Sequence, residues 1–174
     1  MTERQELLDD VAAKATRGMS AGDAEHMRAL LDELVGDWYR EAGTDDDAQA
    51  VLDLLRTELE TALVGKSVGE RLDLVRAGVL DRRIRRLGVQ TFDLGKQIID
   101  GRGDREQARA RGKELMAAIE GVAAEVRTLE DAEARARLGR DLQEASMEAL
   151  YAIEGKAMSH RLSHYASDAQ PRVS

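Results

Sequence analysis

The chain has 174 residues, 43% of them hydrophobic and 3% aromatic, with a formal net charge of −8 and no cysteine. That length and apolar fraction suffice for one domain with a real core. The missing thiols exclude disulfides, thiolate metal sites and cysteine nucleophiles, and the scarcity of aromatic rings argues against a large aromatic-lined cofactor cavity.

The one proline, Pro171, lies in the tail. A proline inside a helix costs roughly 3 kcal/mol, and apolar residues recur here every three or four positions, so the chain reads as helical almost end to end. Helix starts are marked by Ser, Thr or Asp side chains able to accept a hydrogen bond from an amide two or three residues on. Thr2 with Gln5 opens a first helix carrying Leu7, Leu8, Val11 and Ala15, and Gly18 closes it. Ser20 with Asp23 opens a second, with Met27, Leu30, Leu31, Leu34, Val35 and Trp38 on one stripe before Gly43. Thr44, followed by Asp45, Asp46 and Asp47 at the positive end of the macrodipole, opens a third.

Ser67 with Glu70 opens a fourth segment, in which Gly78, Gly88 and Gly95 interrupt an apolar register that continues through Leu80, Ile84, Leu87, Leu94 and Ile98. This segment reads either as one helix to about Ile99 or as two or three short ones. Asp104 with Gln107 opens a fifth helix, and Thr128 with Asp131 a last one that runs to about Tyr165. Short connections favour antiparallel neighbours. The expected fold is all-α: an antiparallel helical bundle of about six helices with a long C-terminal helix, one domain over residues 1–166 and a frayed tail at 167–174.

Charge is uneven along the chain. Residues 1–65 carry 6 basic and 16 acidic side chains, a net of −10; residues 66–113 reach +6 and residues 114–174 fall to −4. Within the basic part, residues 70–87 (ERLDLVRAGVLDRRIRRL) offer a helix, a tight turn at Ala77–Gly78 and a second helix bearing Arg82, Arg83, Arg85 and Arg86. Those four arginines are the candidate contacts to nucleic acid or another anion, in a helix-turn-helix-like arrangement. The competing reading is ion pairing within the protein.

Other groupings fall short of a site. His160 and His164 stand one helical turn apart, but two ligands do not complete a zinc site. Asp23 and His26 form one acidic-x-x-His pair where a di-iron bundle needs two. Glu144 and Glu148 share a face and read as solvated, and Gly101–Asp104 reads as a turn rather than a phosphate loop. The sequence thus implies no catalytic residue, no metal and no cofactor. No apolar run approaches the ~20 residues that span a bilayer, and the N-terminus lacks a signal pattern, so a cytoplasmic protein without a membrane partner is expected. The leading expectation is a non-enzymatic regulatory or scaffolding protein that binds other protein, itself first, through the long last helix. DNA binding through residues 70–87 is the alternative.

Overall fold

A computed structural model describes residues 3–42 and 45–155, which form six helices and no strand. They are α1 (Glu3–Ala15), α2 (Ala21–Ala42), α3 (Asp45–Leu63), α4 (Val68–Ile99), α5 (Arg105–Val126) and α6 (Ala132–Ile153). The all-α expectation therefore holds, and three of the helix starts are capped as their sequences imply. Ser20 Oγ accepts from the Asp23 amide at 3.2 Å. At α4 the box is reciprocal: Ser67 Oγ accepts from the Glu70 amide, and Glu70 Oε2 from the Ser67 amide, both at 3.2 Å. Asp104, in an extended conformation, accepts from the Glu106 amide at 3.0 Å. The starts assigned to Thr2 and Thr44 lie outside the described residues.

Residues 70–87 sit inside one unbroken 32-residue helix that ends at Ile99, the first of the two readings of this segment, and the Ala77–Gly78 turn of the helix-turn-helix alternative is absent. Gly78, Gly88 and Gly95 have no positive φ, and buried Val75, Val79, Ile84, Leu87 and Leu94 hold the helix through them. A glycine lowers helix stability by about 1 kcal/mol, less than the ~1.5–3 kcal/mol from burying one aliphatic side chain. The last helix, in turn, closes at Ile153 rather than continuing to Tyr165. Gly155 takes the left-handed conformation (φ 72°) and its amide turns back to the Ala152 carbonyl at 3.0 Å. Tyr165, the two C-terminal histidines and the tail at 167–174 lie outside the described residues.

The chain groups into two compact units. The first comprises residues 1–82 with Leu129–Asp131; the second comprises residues 83–128 with those from Ala132 onward. In the first unit α1, α2 and α3 pack against one another around Leu7, Val11, Met27, Leu31, Val35, Leu59 and Val75. Trp38 is half-buried against this core and Tyr39 lies at its rim.

Two buried charges on α4 belong to this unit. Arg71 gathers the terminal carbonyls of α1: its guanidinium donates to Ala15 (2.8 Å), Lys14 (3.3 Å) and Arg17 (2.6 Å). Two residues along, on the opposite side of the helix, Asp73 accepts from the amides of Glu130 (2.8 Å) and Asp131 (3.0 Å). Each charge has the sign its target requires, a cation at carbonyls and a carboxylate at amides. Beside the Asp73 contact, Leu129 is buried to 1% exposure. The segment 129–131 is thus fastened to the first unit although the helices on either side of it belong to the second.

In the second unit α5 packs on α6 more extensively than any other pair of helices. The buried stripe of α6 is rich in alanine (Ala134, Ala145, Ala149 and Ala152, with Leu138 and Leu142), and small side chains let the two backbones approach. At Gly112 an added Cβ would lie 3.0 Å from Ile153 Cγ1 and 3.2 Å from the Ala149 carbonyl oxygen. Close by, Arg109 Nε donates to the Ile153 carbonyl at 2.9 Å, capping α6 where it ends.

Two outcomes follow for urea denaturation of the full chain. Asp73→Ala, which leaves the Glu130 and Asp131 amides without their acceptor, should cost about 1–3 kcal/mol, with faster hydrogen exchange at Glu130 and Asp131; Asp73→Asn, which keeps one acceptor, should cost less. Gly95→Ala, with open space around a helical backbone, should stabilise by up to about 1 kcal/mol, whereas Gly112→Val should destabilise by about 2 kcal/mol or more through overpacking.

Candidate functional site

On a continuous α4, with successive residues rotated by about 100°, Arg82, Arg83, Arg85 and Arg86 fall within an arc of about 160° on one side of the helix, and each also has an interaction within the protein. Arg82 lies over the Trp38 ring, 4.5 Å from its centroid, within the first unit. Arg83 pairs with Glu125 of α5 at 2.9 Å in the second. Arg85 lines a cleft opposite three carboxylates, and Arg86 also has an interaction within the protein. Farther along, Arg111 bonds Glu114 (2.8 Å) and Gln90 (3.0 Å). The basic stretch is therefore largely engaged in internal bonds.

That cleft, of about 420 Å³, opens between α4 and α6 of the second unit. Its floor is Ile84, Phe92 and Ala145, with Val89 at the edge 61% exposed. Gly88, having no side chain, leaves the space open. Asp141, Glu144 and Glu148 line the other side, at spacings that put all three on one face of α6. Glu148 is oriented by a buried partner: Thr91, 1% exposed, places its hydroxyl 2.7 Å from Glu148 Oε2 and 3.0 Å from the Gly88 carbonyl.

Chemically, the arrangement is an apolar floor with an acidic margin, suited to an aliphatic side chain flanked by cations. Glu144 and Glu148 were recognisable in the sequence as neighbours on a helix, but Asp141, Thr91, Gly88 and Phe92 were not associated with them. The available signal was the spacing 141, 144 and 148, together with a threonine occupying an apolar position in the α4 register.

The outer face of α6 continues from this cleft. Arg137 and Arg140 are exposed in its first half, Glu144 and Glu148 follow in its second, and Met147 and Leu150 are 43% and 49% exposed. One helix thus carries a basic half, an acidic half and large apolar side chains at the surface. Among the described residues no group of three His, Cys, Asp or Glu side chains is placed to hold a metal, and no helix is long and apolar enough to cross a membrane. In comparison with known proteins, the chain matches no family model, no curated protein and no solved structure.

The Thr91–Glu148 bond is open to a double-mutant cycle. Thr91→Val and Glu148→Gln should show a coupling energy of about 1 kcal/mol or more in denaturant unfolding, as expected for a charge-assisted bond with one buried partner.

Proposed function

We propose that this is a non-enzymatic helical regulatory or scaffolding protein of the cytoplasm that acts by protein–protein interaction, first with a second copy of itself. The observation that carries the reading is the outer face of α6: basic at Arg137 and Arg140, acidic at Glu144 and Glu148, with Met147 and Leu150 left at the surface. Two copies related by a twofold axis lay their α6 helices side by side in opposite directions, so the basic half of each meets the acidic half of the other. Met147 and Leu150, on the acidic half of the same helix, supply burial that charge pairing at a surface does not. Within one copy, the start of α5 beside the end of α6, at Gly112 and Ile153, supports an antiparallel arrangement of that pair.

Sedimentation velocity at micromolar concentration tests the proposal. The full chain should sediment as a dimer; Glu144→Arg with Glu148→Arg should weaken the dimer by about tenfold or more, and mixing that variant with one carrying Arg137→Glu and Arg140→Glu should restore it. A monomer for the unaltered chain overturns self-association.

DNA contact through Arg82, Arg83, Arg85 and Arg86 draws on the +6 net charge of residues 66–113. The unbroken α4 and the internal bonds of these side chains weigh against it. It predicts binding that falls steeply with salt and drops for Arg82→Ala with Arg86→Ala. The absence of a mobility shift with duplex DNA at low salt removes it.

A further inference from the structure

The first unit holds a second cavity, of about 560 Å³, where the ends of α1 and α3 meet the start of α4. Cations predominate in it: Lys14, Arg17, Lys66 and Arg71 line the cavity against the single carboxylate of Glu60, although residues 1–65, which supply Lys14 and Arg17, carry 16 acidic and 6 basic side chains. Two closing glycines, Gly18 (φ 78°) and Gly65 (φ 72°), make the turns beside which Arg17 and Lys66 stand.

Helix C-terminal carbonyls attract cations, but that accounts for only part of this charge. The α1 carbonyls are already bonded by Arg71, and Lys14 Nζ is held by Glu60 at 2.5 Å. Arg17 and Lys66, both exposed, enter no ion pair among the described residues. Their charges are surplus to what the fold employs. The remaining wall is apolar, formed by Val11, Leu63 and Val64, the last of them 77% exposed.

We infer that this cavity binds a small anion: a carboxylate or phosphate group seated between Arg17 and Lys66, carried on a short aliphatic body that covers Val64 and Leu63. The volume falls within the range of small-molecule sites, and a few polar groups beside an apolar wall are their usual construction. Glu60 competes with the ligand for Lys14, so the site is tuned below its full strength. This inference is independent of self-association through α6.

Isothermal titration of the full chain with octanoate, octyl phosphate and inorganic phosphate tests it. The octyl anions should bind saturably, with inorganic phosphate at least about tenfold weaker because it leaves the apolar wall uncovered. Arg17→Gln with Lys66→Gln should weaken octyl phosphate by about tenfold or more without changing the melting temperature, and Glu60→Gln should tighten it by releasing Lys14. Co-sedimentation with phosphatidylglycerol vesicles that is lost in the double variant assigns the anion to a lipid headgroup. Binding of octyl phosphate without co-sedimentation assigns it to a free molecule. No saturable binding of either octyl anion, unchanged affinity in the double variant, or equal affinity for inorganic phosphate overturns the inference.

Discussion

Two buried charges on one helix organise the first unit. A guanidinium or carboxylate taken from water must be bonded on most of its polar atoms, or the loss of hydration exceeds any gain. Arg71 meets that demand with the carbonyls of Lys14, Ala15 and Arg17, and Asp73 meets it with the amides of Glu130 and Asp131. These partners are backbone groups, whose positions are set by the helices that carry them. The demand therefore works in reverse as well, since neither charge stays satisfied unless the end of α1 and the segment 129–131 are held in place. Leu129, fully buried beside Asp73, adds an apolar anchor to the same segment.

The same principle governs how the arginines of the central stretch are used. A guanidinium has five donors in a rigid fork and a broad flat face, so it lends itself to carbonyls, carboxylates and rings within the protein. Arg71, Arg82, Arg83, Arg109 and Arg111 each find such a partner. A net charge of +6 in the sequence is thus distributed over separate internal contacts. Other charges line the two cavities: cations predominate around the one in the first unit, and carboxylates along the cleft of the second.

Packing in the second unit determines which part of α6 is left for a partner. Alanines and Gly112 let α5 and α6 approach closely, which buries one stripe of α6 and turns the rest outward. What faces outward is not the uniform polar surface expected of a solvated helix. It divides into a basic half and an acidic half, and it retains Met147 and Leu150. Each unit holds a cavity of molecular size, and the second also presents this helix face.

The helices themselves were legible in the sequence because what starts and stops them is local. Ser20, Ser67 and Asp104 bond amides two or three residues away, and Gly18 closes α1 within its own turn, so composition over a few positions suffices. The aliphatic rhythm likewise named most of the core, since burial of one face is the only stable use of such a stripe. Other features were decided in three dimensions. Whether three glycines break α4 depends on the side chains packed beside them, and whether α6 continues past Ile153 depends on the conformation adopted by Gly155. Arg71 and Asp73 looked like ordinary surface charges, because their partners lie 54–58 residues away along the chain. Capping is read within a turn of helix, whereas the neutralisation of a buried charge or the shape of a cavity exists only once distant segments have been brought together.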